Sequence, residues 1–206
     1  MAEFQTEQES FWAGEFGSQY VDRNPTEKRF GARTALFAKI MARTEGVGSA
    51  IEFGANIGNN LRALHQMFPA MELAAIEINE KAAAVLAEWG KTQVYQQSIL
   101  DFSPDRQYDL AFISGVLIHI NPDMLPQVYD RLYAASRRYV CLAEYYNPTP
   151  VEVSYRGHSG RLFKRDFAGE LLARFADLRL LDYGFVYHGD PNFPLDDLTW
   201  FLMEKR

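Results

Sequence analysis

Ser49-Ala-Ile-Glu-Phe-Gly-Ala-Asn-Ile-Gly-Asn-Asn-Leu-Arg-Ala-Leu64 reads as a strand, a tight turn and the start of a helix. A short apolar run carries Glu52 and ends at Phe53, and Gly54 and Gly58 frame the turn. Ile57, Leu61, Leu64 and Phe68 then recur at helical spacing. This order sets a backbone loop and a helix N-terminus at the carboxyl end of a strand, where open α/β sheets hold nucleotide-like ligands. Glu77 follows 23 residues after Gly54, within a second apolar run, Glu72 to Ile78, where an acid that binds a ribose is expected. Such a turn also serves as a plain strand–helix junction, so loop and acid carry the reading only together.

Outward from this stretch, strands and helices alternate. Pro69 ends the first helix; Ile78, Ala82, Val85, Leu86 and Trp89 form the next helical face, which Gly90 stops. Strands are predicted over Thr92 to Gln96, Tyr108 to Ile113 and Tyr139 to Ala143, the last preceded by a helix bearing Leu125, Val128, Leu132 and Ala135. Repeated strand–helix–strand units predict a parallel sheet with helices on both faces. Upstream, Phe30, Ala35, Phe37, Ile40 and Met41 predict a helix over 26–42, after an ordered aromatic segment from Phe11 to Tyr20. Tyr145 to Leu162 reads as a long loop, followed by a helix near Lys164 to Phe175. The strands Arg179 to Tyr187 and Leu198 to Glu204 are joined by a loop too short for a helical crossover, so they pair antiparallel. The expected fold class is α/β: a Rossmann-like, seven-stranded, mostly parallel sheet with an antiparallel C-terminal strand, helices on both faces and an N-terminal helical segment. One domain over 1–206 is expected, with 1–45 a helical lid and 46–206 the Rossmann-like core.

Composition narrows the function classes. A net charge of −6 argues against a nonspecific nucleic-acid binder, which needs surplus Lys and Arg for phosphate. The single cysteine, Cys141, sits in an apolar strand, which excludes an internal disulfide and suits an inert thiol in a reducing compartment. The N-terminus is acidic and polar, unlike a signal peptide, and the longest apolar runs fall short of the roughly 20 residues of a membrane span. A cytoplasmic protein without membrane or nucleic-acid partners is expected. His65, His119, His158 and His188 are scattered without ligand spacing, so no metal is expected. Arg33, Lys39, Arg43, Arg137 and Arg138 read as solvated helix charges.

The parallel sheet closed by an antiparallel hairpin resembles the class I S-adenosylmethionine-dependent methyltransferases, over about Ser49 to Arg206. The resemblance implies S-adenosyl-L-methionine as cofactor, held by Glu52, Gly54, Ala55, Asn56 and Gly58 of the loop, by Glu77 and Ile78 at the ribose, and by Ser98 and Ile99 at the adenine. It extends to Ser114 and Gly115 after the fourth strand, and Tyr20 joins this set from the N-terminal segment. Two departures stand out: Asn56 replaces the middle glycine of the loop, and Ser98 replaces the usual acid near the adenine amine. Asn tolerates positive φ better than other side chains, so the turn can survive.

A narrower resemblance rests on Ala55-Asn-Ile-Gly-Asn-Asn-Leu, Gly115-Val-Leu-Ile-His-Ile-Asn-Pro-Asp123 and Glu144-Tyr-Tyr-Asn-Pro148. With Phe11-Trp-Ala-Gly-Glu-Phe-Gly and Asp22-Arg-Asn24, these segments are similar to the pseudaminic acid biosynthesis-associated methylases. That implies a sugar-acid or nucleotide-sugar acceptor in nonulosonic acid chemistry. His119, Glu144 and Tyr146 are the candidate catalytic residues. Tyr145, Asn147, Tyr155, Arg156, His158 and Arg161 of the long loop are the candidate acceptor ligands, since arginines, a histidine and tyrosines suit an anionic, hydroxyl-rich molecule. Each has a plainer reading: His119 as a packing side chain, the loop as solvated surface, and Trp12, Phe16 and Tyr20 as aromatics docked on the core. A non-methyl use of the sulfonium, a nucleotide-binding oxidoreductase and a non-catalytic scaffold remain as other functions.

Overall fold

The computed structural model describes residues 4–24 and 29–206. The expected sheet is present, in the order β3-β2-β1-β4-β5-β9-β8. Its strands are β1 (Ser49–Phe53), β2 (Glu72–Glu77), β3 (Gln93–Gln96), β4 (Tyr108–Ser114), β5 (Ser136–Glu144), β8 (Leu178–Val186) and β9 (Leu198–Lys205). The first five run parallel. β9 pairs antiparallel with β8, as the short connection requires, and on its other edge antiparallel with β5. β6 (Val151–Glu152), within the segment read as loop, pairs with β7 (Phe163–Lys164), just past its end and partly in the stretch read as helix, in a separate two-stranded ribbon.

Helices cover both faces. α3 (Phe30–Met41), α4 (Asn59–Met67) and α5 (Glu80–Trp89) place Leu36, Phe37, Leu61, Leu64 and Leu86 against one face. α6 (Leu125–Ala135) and α7 (Phe167–Arg174) place Val128, Leu132, Phe167 and Leu171 against the other. α7 starts later than the periodicity suggests, because Asp166 accepts the Gly169 N–H and caps it there. The predicted helix over 26–42 begins at Phe30, and its opening residues lie outside the described ones. Strand alternation decides which side chain reaches which layer. Ile51 and Phe53 join the α6–α7 face, whereas Ala50 packs with the α3–α4 face. Glu52 shares the parity of Ala50 and therefore points toward α3 and α4.

The N-terminal segment is two short helices, α1 (Glu7–Ala13) and α2 (Glu15–Arg23). Thr6 and Glu9 close a reciprocal capping box on α1. Asn79 fastens the pair to the core: its Nδ2 donates to the Trp12 and Ala13 carbonyls and to Ser18 Oγ, each at 3.2 Å.

Candidate functional site

Strand order reverses between β1 and β4, and a cleft with about 1180 Å³ of empty space opens at the carboxyl ends of the strands there. The turn after β1 forms its floor. Gly54 and Gly58 take φ of 73° and 77°, and Asn56 takes 50°. Asn56 Oδ1 accepts the Ile57 N–H at 2.6 Å, a local bond that supports the left-handed residue. Gly54 is needed for space as well: a Cβ there would meet Val116 Cγ2 at 2.8 Å. Gly58 serves packing instead, since its Cβ would collide with Leu86 of α5. The replaced glycine is thus tolerated where the backbone needs only a left-handed turn.

Glu52 is 1% exposed. Asn60 Nδ2 donates to its Oε1 at 2.6 Å, and Arg33 Nη1 donates to Asn60 Oδ1 at 2.6 Å. Burial pushes the Glu52 carboxyl up to about 8 despite the opposing Asn60 bond and Arg33 charge. Burial likewise lowers the Arg33 guanidinium. Four buried polar atoms of cleft residues have no hydrogen-bond partner among the described residues: Glu52 Oε2, Arg33 Nε, Trp12 Nε1 and Asn59 Oδ1. Such groups cost free energy unless something in the cleft pairs with them.

Glu77 is also buried, and each oxygen accepts one backbone N–H: Oε2 from Asn56 at 2.6 Å and Oε1 from Asn79 at 2.7 Å. Burial raises its carboxyl against these bonds. Two fixed oxygens with lone pairs to spare present a bidentate acceptor to a vicinal diol. Asn79, not Glu77, caps α5, by accepting the Ala82 N–H.

His119 lies in the short 3-10 turn after β4 and lines the cleft between Trp12 and Tyr155, with ring centroids 4.7 and 4.8 Å away. Its Nδ1 lies 2.5 Å from the Arg161 carbonyl, which assigns the proton to Nδ1 and leaves Nε2 an acceptor. Burial lowers its pKa to about 4, so the ring is neutral at physiological pH.

The cleft gathers all the predicted donor residues except Gly58, together with His119. It does not gather the rest. Glu144 is buried under the loop after β4, where Oε1 accepts the Val116 and Leu117 N–H groups at 3.0 Å. Burial pushes it up to about 7. Tyr146 is exposed and bridges Arg165 on the far side of that strand end. Asn147 bonds the Thr149 carbonyl, and Lys164 Nζ lies over the Tyr145 ring at 5.2 Å. Tyr155 and His158 exchange backbone bonds of 2.9 Å around Arg156 and Gly157, both at positive φ, so a tight turn presents Arg156 to solvent. Arg161 pairs with Glu7 at 3.2 Å, and His158 packs on Phe11 and Phe16.

Arg33 corrects its reading as a solvated charge: it is half-buried and joined to the cleft through Asn60. Lateral packing of α3 on α4 decides this, which helical periodicity does not encode. Glu9, Asn60 and Asn79 are further cleft residues that motif reading misses. Buried asparagines right after a glycine turn and right after a strand-end acid are the signals that could have found the last two.

No protein-family model matches the chain, and no curated protein matches it. Solved structures do. A DhpI–SAH complex aligns with TM-score 0.63 at 20% identity, over 96% of this chain and 95% of that one. The Burkholderia thailandensis 1,6-didemethyltoxoflavin-N1-methyltransferase, with bound 1,6-didemethyltoxoflavin and S-adenosylhomocysteine, aligns with TM-score 0.71 at 16% identity, over 100% and 92%. The Synechocystis PCC 6803 magnesium protoporphyrin IX methyltransferase with bound SAH gives 0.70 at 13%, over 96% and 98%. What is shared at these identities is the fold: a Rossmann-like methyltransferase fold with an antiparallel strand at its C-terminal end.

Proposed function

We propose that the chain is an S-adenosylmethionine-dependent methyltransferase acting on a small-molecule acceptor. The observation that carries this reading is the Arg33–Asn60–Glu52 chain, whose unpaired Glu52 Oε2 and Arg33 Nε stand at the strand-order reversal. A buried carboxyl beside a half-buried guanidinium suits the zwitterionic amino-acid end of the donor, with Glu52 giving up its proton to take the ammonium and Arg33 taking the carboxylate. Glu77 then holds the ribose hydroxyls, and Ile78 and Ile99 wall the base with apolar surface. S-adenosylmethionine, when bound, would supply an electrophilic methyl on a sulfonium: the acceptor's lone pair would bond to that carbon in line as the C–S bond breaks, leaving S-adenosylhomocysteine.

The chain's own task is to orient the acceptor, exclude water and hold a proton. Neutral His119 accepts a hydrogen bond from the acceptor's O–H or N–H at Nε2, while the Arg161 carbonyl fixes its tautomer. Trp12, Tyr20 and Tyr155 close the neighbouring side with aromatic surface, which also favours a sulfonium cation. For the acceptor we favour an anionic sugar-derived molecule, supported by the exposed Arg156 at the loop tip and by the sequence resemblance to nonulosonic acid-associated methylases.

Thermal shift tests the donor. S-adenosylhomocysteine raises the melting temperature because it binds the folded state, and NAD does not. Stabilisation by NAD alone overturns the reading. Incubation with labelled donor and a panel of nucleotide-activated nonulosonic acids, read by mass, tests the acceptor: gain of one methyl is expected.

A further inference from the structure

At the end of the cleft away from Glu52, α1 contributes a second buried carboxylate. Glu9 is 7% exposed and lines the cleft with Ser98, Ile99 and Leu100. Its Oε2 accepts the Thr6 N–H at 2.9 Å, and its Oε1 accepts the Ser98 hydroxyl. Ser98 Oγ in turn accepts the Leu100 N–H at 2.9 Å. The one proton of Ser98 is therefore committed to Glu9, and one of its lone pairs to the backbone. No cation pairs with Glu9 among the described residues. A buried carboxylate without a cation is stabilised by N–H and O–H donors, and Oε1 keeps a lone pair for one more.

We infer that Glu9 reads the exocyclic amine of the donor's adenine, so that the acid missing after β3 is supplied by the N-terminal helix. The inference rests on the donor reading above, which runs the ligand from β1 past Glu77 toward the end of β3. The base entering there loses water from its amine, and Glu9 Oε1 replaces it. Ser98 acts as a positioning residue that holds the carboxylate toward the base. A further consequence is that base recognition and docking of α1 are one event. Asn79 adds to this coupling, since its N–H binds Glu77 while its side chain holds the α1–α2 junction.

The test compares S-adenosylhomocysteine with S-inosylhomocysteine, in which a 6-oxo group replaces the amine, by titration calorimetry on the full chain. Wild type prefers the adenine ligand by about tenfold or more, the scale of a lost hydrogen bond to a charged group. Glu9→Gln keeps the capping box, because Gln serves equally at that helix position, and its amide can donate to the 6-oxo group. Its preference falls to within about threefold or inverts, through both weaker adenine binding and stronger hypoxanthine binding. A merely structural role for Glu9 lowers both affinities together and leaves their ratio unchanged; that result overturns the inference and leaves the donor reading standing. Wild type that binds both ligands equally overturns it too, whatever the variant's stability. Wild type that binds neither overturns the donor reading with it.

Discussion

The cleft floor and the segment after β5 are built by different means. On the floor, Glu52 and Glu77 are buried at strand ends, and their partners are backbone N–H groups or a buried asparagine. Sheet register fixes these positions, so they move only if the fold moves. The segment after β5 instead leans on α1: Gln8 donates to the Gly160 carbonyl, Arg161 pairs with Glu7, and His158 packs on Phe11 and Phe16. Its tip side chains are exposed. A rigid floor suits a constant donor, and an exposed loop held by one short helix suits a recognition surface that can vary.

Breaking the floor has the largest expected effect. Glu77→Ala removes the acceptor of two backbone N–H groups in one step and leaves both unpaired. Affinity for S-adenosylhomocysteine falls by about 100-fold or more, and the melting temperature drops, as expected when buried donors lose a charged partner. Glu77→Gln, which keeps one acceptor oxygen, loses less in both. Unchanged affinity in a folded Glu77→Ala protein removes the ribose assignment, and with it the contrast between the two regions.

The same contrast decides what is legible in sequence. Glu52, Asn56 and Glu77 are found because strand alternation and a turn fix them within a few residues of chain. The antiparallel pairing of β8 with β9 follows from the short last connection, whereas the place of β9 next to β5 is not legible in it. Arg33 and Glu9 are not found, because each reaches the cleft by the packing of one helix on another element. Thr6 and Glu9 announce a helix start through their spacing, but nothing local says that the same carboxylate meets Ser98, 89 residues away. Glu144 shows the converse: strand-end position puts it beside the cleft, while its burial under the β4 loop turns it inward.

Glu52 sharpens the floor by its proton. Its carboxyl titrates near 8 in the free protein, and an ammonium group pairs with the ionised form only. Below pH 8, binding therefore releases a proton, and affinity rises with pH by up to about tenfold per unit, then levels off. Calorimetry in buffers of different ionisation enthalpy reads the release directly. Glu52→Gln flattens the profile, and a flat wild-type profile separates the amino-acid end of the donor from Glu52.

Glu144 lies between the two regions, and its variant says to which it belongs. Its folded pKa of about 7 is above the ordinary 4.5, so its contribution to stability is complete below pH 4.5 and is lost as pH rises through 7. The limiting slope is about 1.4 kcal/mol per pH unit for one proton. Glu144→Gln removes that slope, so the variant gains on wild type between pH 5 and pH 8 in chemical denaturation. As a holder of the β4 loop it changes kcat by less than about tenfold, since Gln still accepts the Val116 and Leu117 N–H groups. A loss of about a thousandfold, the scale of a removed general base, makes it a reacting group instead.

The smallest effect belongs to the loop tip. Arg156 stands on a two-residue turn, exposed, with its guanidinium 5.8 Å from the Tyr155 ring. A charge in that position interacts through water, and exposed ion pairs contribute up to about 1 kcal/mol. Arg156→Ala accordingly raises KM for an anionic acceptor by about twofold to fivefold, leaves kcat nearly unchanged and leaves donor affinity alone. Added salt weakens the wild type and not the variant, because screening acts on the exposed charge. Equal losses for donor and acceptor would mean that the loop and the floor act as one unit through α1. An anionic acceptor bound equally well by both proteins would leave Arg156 a surface charge and move acceptor recognition inward, to His119 and the aromatic wall beside it.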